Sequence, residues 1–171
     1  MEQLDWNKMR QFEKKLGCRF CDDGEYAEMS LTLGSYREQT EPIAGVTYGF
    51  YSGSMEELRE LVAQVDPTWT RYYREGTPVF CAWLEGEPVS FCIVEPDNEC
   101  ALALPGVRVG SIGCVGTLPQ YRGRKIGLRM VDLATVFLQQ EGYHKSYICY
   151  TGIDHWYAKL GYKTYARFTF D

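Results

Sequence analysis

The chain has 171 residues and a formal net charge of −5 at pH 7, with 45% hydrophobic and 24% charged residues. This length fits one folded domain, and the composition excludes disordered, collagen-like and coiled-coil chains. The negative charge argues against a general affinity for nucleic acid or anionic membranes, and no apolar run approaches the roughly 20 residues of a membrane span, so we expect a cytoplasmic protein.

The first 42 residues have the least regular pattern, and we interpret residues 1–42 as an N-terminal extension. Their apolar spacing predicts a short helix over residues 5–15 and a strand around residues 29–33. From residue 43 onward, strand and helix patterns alternate regularly. We therefore predict a main domain at residues 43–171.

The main domain begins with a strand and a helix, and Ser54 is the predicted N-cap of that helix. The residues Glu85-Gly86-Glu87-Pro88 have the composition of a hairpin turn. The predicted elements are strands at residues 46–51, 79–84, 89–94, 108–117, 145–151 and 162–170, and helices at residues 55–67, 126–140 and 155–160. This order predicts an α/β domain with a mixed sheet and helices on its faces.

The segment 117–127 joins a glycine-bearing strand to an amphipathic helix and is locally basic. Four cations lie within eight residues of an otherwise acidic chain: Arg122, Arg124, Lys125 and Arg129. Unpaired N–H groups and the positive end of the helix dipole favour an anion at a helix N-terminus. Neither a Walker loop nor a Rossmann fingerprint is present. The segment predicts an anion site, with a nucleotide, a sugar phosphate or merely a solvated basic face as alternatives.

The segment 122–127, Arg-Gly-Arg-Lys-Ile-Gly, resembles the acetyl-CoA signature of the GNAT superfamily of N-acetyltransferases. That signature is Arg or Gln, two residues, Gly, one residue, then Gly or Ala; Lys125 replaces its middle glycine. A second motif resembles the family as well, because Tyr157 is followed four residues later by Gly161 and Tyr162. The resemblance covers residues 45–171 and implies a GNAT-type mixed, mostly antiparallel central sheet flanked by helices.

The resemblance implies acetyl-CoA as the co-substrate and no metal. In this family a bulge separates the signature strand from its neighbour, and the pantetheine arm pairs with the exposed backbone; Gly113 and Gly116 suit such a distortion. The residues implied to bind the cofactor are Cys114, Val115 and Thr117 along the strand and Arg122, Gly123, Arg124, Lys125, Ile126 and Gly127 around the pyrophosphate.

The implied mechanism is direct attack of a neutral amine on the thioester. The backbone N–H of Val115 would stabilise the oxyanion, and Tyr157 would protonate the departing thiolate, since a phenol stays neutral at pH 7. The identity of the group that removes the proton from the amine is left open. Its candidates are Glu95, Asp154, His155, His144 and a chain of waters.

The resemblance implies that the acceptor binds near residues 67–74, where Trp69, Tyr72 and Tyr73 would form an aromatic wall; the alternative is that these rings cover the core. We expect an N-acetyltransferase acting on a primary amine of a small molecule or peptide, without a nucleic-acid or membrane partner. A homodimer is left open. The alternatives are a catalytically inactive acyl-CoA-binding or protein-interaction module of the same fold and an unrelated phosphate-binding regulator.

The seven cysteines are an odd number spread over strand-like segments, which is typical of reduced thiols. Cys18 and Cys21 have the spacing of a zinc knuckle, but no second pair follows, so we predict no metal site. Cys114 has no histidine near it in the sequence, and we expect it to pack rather than act as a nucleophile.

Overall fold

The computed structural model describes all 171 residues. It contains eight strands, four α-helices and three short 3₁₀ helices. The strands are β1 (Cys18–Phe20), β2 (Tyr26–Thr32), β3 (Val46–Phe50), β4 (Val79–Leu84), β5 (Glu87–Pro96), β6 (Val109–Thr117), β7 (Lys145–Thr151) and β8 (Lys163–Phe170). The α-helices are α1 (Trp6–Leu16), α2 (Met55–Ala63), α3 (Ile126–Gln140) and α4 (Asp154–Tyr157), and the 3₁₀ helices are Pro67–Tyr72, Pro119–Tyr121 and Ala158–Leu160.

The strands form a sheet with the order β1-β8-β2-β7-β6-β5-β4-β3. Most neighbours are antiparallel, whereas β6 and β7 are parallel, with Val109 opposite Lys145 and Ser111 opposite Tyr147. This mixed, mostly antiparallel sheet flanked by helices confirms the predicted fold class. None of the helices combines the length and the apolar character that crossing a bilayer requires.

The first of two compact units comprises residues 1–37, 96–111 and 137–171. Asp5 caps α1 by accepting hydrogen bonds from the N–H groups of Asn7 and Lys8, and Gly17 ends the helix in the left-handed conformation. The predicted helix over residues 5–15 is therefore confirmed. β2 lies between β7 and β8 and pairs with both, so the strand predicted around residues 29–33 is an interior strand of the sheet.

The second unit comprises residues 38–95 and 112–136. The Ser54 hydroxyl accepts a hydrogen bond from the N–H of Glu57, which confirms the predicted N-cap of α2. Fully buried apolar residues of α2, β4 and β5, including Leu58, Cys81 and Phe91, form its core. The boundary between residues 42 and 43 stays a prediction.

The middle of α3 is tied to residues 39–40 by a buried carboxylate. Asp132 accepts hydrogen bonds from the N–H of Gln39 at 2.8 Å and from the N–H and hydroxyl of Thr40 at 2.7 and 2.6 Å. Because Asp132 is fully buried, these donors replace the water that its charge would otherwise require. The contact orients the helix that follows the basic loop.

Candidate functional site

A local distortion interrupts β6 at Cys114, which has a φ angle of +47°. A residue with a side chain seldom adopts this left-handed conformation, and it rotates the adjacent peptide groups out of the regular ladder. The Tyr73 hydroxyl donates a hydrogen bond to the main-chain carbonyl of Cys114 at 2.7 Å. The buried ring of Tyr73 therefore supports the distorted backbone from inside the core.

Gly113 and Gly116 were expected to suit a distortion of β6, and the residue with positive φ is Cys114, which lies between them. Gly116 has a different role. A Cβ atom there would lie 2.7 Å from the ring of Phe91 and 3.1 Å from Val65, so the strand packs too closely for a side chain. At Gly113 a Cβ would meet nothing within 4 Å. The backbone at Gly113 is thus open on that side.

Ser90 on β5 reinforces the end of β6, and the sequence pattern did not single it out. Its hydroxyl is buried, donates to the carbonyl of Gly116 at 2.8 Å and lies 2.8 Å from the Thr117 hydroxyl. Since Ser90 donates its single proton to Gly116, it accepts the proton of Thr117. The position of a serine within a predicted strand gives no indication that its hydroxyl bonds to the neighbouring strand.

The loop before α3 contains two left-handed residues, Gly123 with φ +76° and Lys125 with φ +63°. Residues 122–125 are exposed, and α3 begins at Ile126. Left-handed residues in a turn can point successive N–H groups to the same side, which creates a concave anion site. A Cβ at Gly123 would meet no atom within 4 Å, so space remains over the turn.

Lys125, which replaces the middle glycine of the signature, adopts the conformation that glycine would adopt most easily. The Arg122 Nε group donates to the carbonyl of Thr117 at 3.0 Å, and the Arg124 guanidinium lies 5.9 Å from the centre of the Tyr121 ring. These contacts hold two guanidinium groups beside the turn. The arrangement suits a phosphate or diphosphate.

Arg129 does not add a fourth cation to this surface, contrary to the sequence-based interpretation. Its side chain is buried and forms an ion pair with Glu38 at 2.8 Å. It also donates to the carbonyl of Thr40 at 2.7 Å and lies over the ring of Tyr48. Its position one turn into α3 turns it toward segment 38–40, where it stabilises the fold.

Burial governs the chemistry of the Cys114 thiol. Burial, with further contributions from the Asp66 and Glu95 carboxylates, raises the pKa of this thiol to about 11. A thiol with that pKa is neutral at pH 7 and is a poor nucleophile. This result agrees with the expectation that Cys114 packs.

Tyr157 lies at the end of α4 with its ring buried. The ring packs edge-on against Trp156, with 4.9 Å between the ring centres, and against Tyr162 at 6.2 Å. The Tyr162 hydroxyl is hydrogen-bonded to the buried hydroxyl of Ser146 at 2.7 Å. Both aromatic positions of the second motif thus belong to one ordered cluster.

The candidate proton acceptors lie in different environments. Asp154 pairs with Arg167, and the Nδ1 atom of His144 accepts a hydrogen bond from the N–H of Arg108. These contacts engage one carboxylate oxygen of Asp154, Oδ2, and the Nδ1 atom of His144. His155 and Glu95 are exposed.

The three aromatic residues of the predicted acceptor wall point in different directions. Tyr72 is 43% exposed, and its hydroxyl accepts a hydrogen bond from Arg71 at 2.8 Å. Trp69 is partly buried against the core of the second unit, while Tyr73 is fully buried. Of the three rings, Tyr72 is the most exposed.

Comparison with known proteins identifies relatives of this chain. A family model described as "Acetyltransferase (GNAT) family" matches residues 33–162. The amino-acid acetyltransferases of Salmonella typhi and of Yersinia pseudotuberculosis serotype O:1b are each 28% identical to it over 130 residues, which is 73% of this chain. The chain spans about a quarter of the length of these relatives, since the match covers 27% of each.

Solved structures share the fold at low sequence identity. One is described as a GCN5-related glucosamine N-acetyltransferase region of a fungal multi-domain β-N-acetylglucosaminidase; it matches 98% of this chain and 23% of that chain, with a TM-score of 0.69 and 21% identity. GCN5-related N-acetyltransferases from Sphaerobacter thermophilus and Kribbella flavida each match 94% of this chain and 54% and 61% of their own, with TM-scores of 0.64 and 0.62 and identities of 19% and 18%.

Proposed function

Because the chain belongs to the GNAT acetyltransferase family, we propose that it is an N-acetyltransferase that uses acetyl-CoA to acetylate a primary amine of a small molecule or peptide. The observation that carries the proposal is the continuous segment in which the distorted strand β6 leads into α3 through a basic turn that contains left-handed residues. Cys114, Gly123 and Lys125 provide its three positive φ angles.

The turn is the proposed binding site for the pyrophosphate of CoA. The N–H groups from Arg122 to Gly127 would donate to the phosphate oxygens, with Arg122 and Arg124 supplying charge. The open space over Gly123 supports this assignment, since no protein atom lies where a Cβ would be. Lys125 contributes an ammonium group from an exposed position.

The distorted part of β6 is the proposed site of the pantetheine arm. The peptide groups of Cys114, Val115 and Thr117 would pair with its amides, as an added strand pairs with a sheet edge. The N–H of Val115 follows the left-handed residue and would stabilise the negative charge that develops on the thioester oxygen during attack. The bond from Tyr73 to Cys114 supports this role because it keeps the neighbouring peptide in place.

Tyr157 is the proposed acid. Acetyl-CoA supplies an activated acyl group, and its thiolate needs a proton when it departs; a phenol can provide one while remaining neutral at pH 7. The ordered rings of Trp156 and Tyr162 around Tyr157 support the assignment because they limit its orientation.

The acceptor is proposed to be an amine, and the relatives suggest two classes for a first screen. Their printed names refer to amino acids and to glucosamine. Of the three rings that the sequence suggested, Tyr72 and the partly buried Trp69 remain the proposed acceptor-binding residues, whereas Tyr73 is fully buried and packs in the core instead. A ring at this position would stack on an apolar or cationic acceptor.

One observation favours a second candidate function, a catalytically inactive acyl-CoA-binding module. Lys125 has a side chain where the signature has glycine, close to the proposed pyrophosphate. The two functions differ in turnover. Release of free thiol from acetyl-CoA in the presence of an amine panel identifies the enzyme, whereas CoA binding without thiol release identifies the binding module.

The phosphate site is tested by thermal unfolding with CoA. We expect saturating CoA to raise the unfolding temperature, and the double variant Arg122→Glu, Arg124→Glu to abolish the rise. A control with the same change in net charge is Arg10→Glu, Lys163→Glu, because both residues are exposed in other elements. An equal CoA response in the two double variants would refute the proposed phosphate site.

A further inference from the structure

Ser90 places a hydroxyl group in the buried part of β5, where the other side chains of residues 89–94 are apolar or thiol groups. The side chain of Ser90 is fully buried. A hydroxyl at such a position costs free energy unless its hydrogen bonds are satisfied inside the protein. The partners of this hydroxyl therefore indicate what it contributes.

Both partners of Ser90 lie on the last residues of β6. Its hydroxyl donates to the Gly116 carbonyl at 2.8 Å and accepts from the Thr117 hydroxyl, which is 2.8 Å away. One position further along, the N–H of Leu118 donates to the carbonyl of Val89 at 2.9 Å. Two neighbouring residues of β5 thus hold residues 116–118, which lead out of the distorted strand.

The Thr117 carbonyl connects these contacts to the basic turn. It accepts a hydrogen bond at 3.0 Å from the Nε group of Arg122, the first residue of the turn. The N–H groups of a guanidinium share one plane, so a bond at Nε orients this plane while the terminal amino groups stay free to bind an anion. Arg122 is exposed, and a ligand can therefore reach these amino groups.

We propose that Ser90 is a positioning residue for the diphosphate of CoA, and that it acts through Thr117 on Arg122. This inference rests on the proposed function and on its phosphate site. The bonds from Ser90 to Gly116 and Thr117 limit rotation of the peptide group whose carbonyl meets Arg122. The guanidinium is then oriented before the ligand arrives, so less conformational entropy is lost on binding. All of these residues belong to the second unit.

Ser90 should affect one part of the ligand only. The guanidinium of Arg122 recognises the charge and the oxygen atoms of the diphosphate. Pantetheine, which is CoA without its nucleotide and diphosphate, offers this group no anion. Ser90 should therefore favour CoA over pantetheine, although its own side chain contacts neither ligand.

The test is a double-mutant cycle measured by calorimetric titration with CoA. Ser90→Ala should weaken CoA binding about fivefold to tenfold, and Arg122→Met should weaken it at least as much. If Ser90 acts through Arg122, Ser90→Ala should change the Kd little once Arg122→Met is present, because the group that it positions is gone. Independent, additive losses in the double variant would overturn the inference.

Thr135→Val is the matched control. Thr135 in α3 is also fully buried, and its hydroxyl donates to the Val131 carbonyl at 2.7 Å, so this variant likewise removes one buried hydroxyl. Both variants should lower the unfolding temperature, whereas only Ser90→Ala should weaken CoA binding. Equal losses of CoA affinity would attribute the effect to general destabilisation and overturn the positioning role.

A second variant keeps the test decisive if Ser90→Ala folds poorly. Thr117→Val retains the peptide groups proposed to pair with the pantetheine arm and removes only the hydroxyl that bonds to Ser90. It should weaken CoA binding in the same direction, and again add little to Arg122→Met. An unchanged Kd for CoA in Thr117→Val would contradict the inference.

Titration with pantetheine separates positioning of the diphosphate site from damage to the whole ligand site. Its Kd should be the same for the wild type and for Ser90→Ala, and an equal loss of affinity for pantetheine and CoA would overturn this inference alone. A wild type that binds no CoA, or an Arg122→Met variant that binds it as tightly as the wild type does, would overturn the proposed phosphate site and the role of Ser90 with it.

Discussion

The Tyr73 hydroxyl and the Cys114 carbonyl are joined by a 2.7 Å hydrogen bond that links a fully buried aromatic ring to the distorted residue of β6. We expect Tyr73→Phe to leave this carbonyl without its donor and to lower the free energy of unfolding by about 1–2 kcal/mol. It should also reduce kcat more than it weakens CoA binding, because the Val115 N–H loses its fixed orientation. Tyr51→Phe, which removes a hydroxyl that donates to the Ser54 carbonyl at 2.9 Å, is the control, and equal effects on kcat would contradict the positioning role.

Lys125 holds a left-handed conformation that costs a residue with a side chain roughly 1 kcal/mol. Lys125→Gly should therefore unfold at a higher denaturant concentration than Lys125→Ala, which removes the charge equally but keeps the backbone strain. Urea unfolding of the two variants measures this difference. Identical midpoints would mean that the turn relaxes when the lysine is removed.

Arg129 and Arg124 lie five residues apart but should respond differently to replacement. Arg129→Met removes the ion pair with Glu38 and the bond to Thr40, and we expect it to destabilise the fold by about 1–3 kcal/mol. Arg124→Met should change stability little, because Arg124 is exposed, and should weaken CoA binding instead. Calorimetric unfolding and CoA titration of both variants distinguish the structural arginine from the ligand-facing one.

Tyr157→Phe should lower kcat without a matching loss of CoA affinity. The ring keeps its packing against Trp156 and Tyr162, while the proton for the thiolate is lost. General acid groups contribute roughly 100-fold or more to rate, and a loss of that size is expected. A parallel loss of CoA binding or of thermal stability would show that the hydroxyl supports the fold instead.

Glu28 should make the protein less stable as the pH rises. Its pKa is about 7 in the folded chain against an ordinary 4.5, so the native state binds more protons than the unfolded state between these values. The free energy of unfolding should therefore decline across this interval and level off above about pH 7. Urea unfolding at a series of pH values should give a shallower decline for Glu28→Gln than for Glu25→Gln; equal slopes would indicate that Glu28 stays ionised.

Local patterns in the sequence were sufficient to predict several of the secondary-structure elements. Ser54 before a helical pattern predicted the start of α2, and the Glu85-Gly86 turn between two β-forming runs predicted the β4–β5 hairpin, in which both residues have positive φ. The strand-loop-helix segment around Arg122 was also predictable, because the residues that indicate it are consecutive in the sequence. The short strand β1 was not predicted, since its three residues lie beside an acidic stretch without alternation.

The sequence by itself thus determined the family resemblance, the order of most elements and the basic turn, because caps, turns and apolar periods depend on neighbours in the chain. Tertiary structure decided that β2 inserts between β7 and β8, that Arg129 turns inward to Glu38, and that Tyr73 and Glu28 are buried. The physical reason is that burial and charge compensation depend on groups dozens of residues away. Glu28 meets its donors on β7 more than a hundred positions later, and no local pattern encodes that contact.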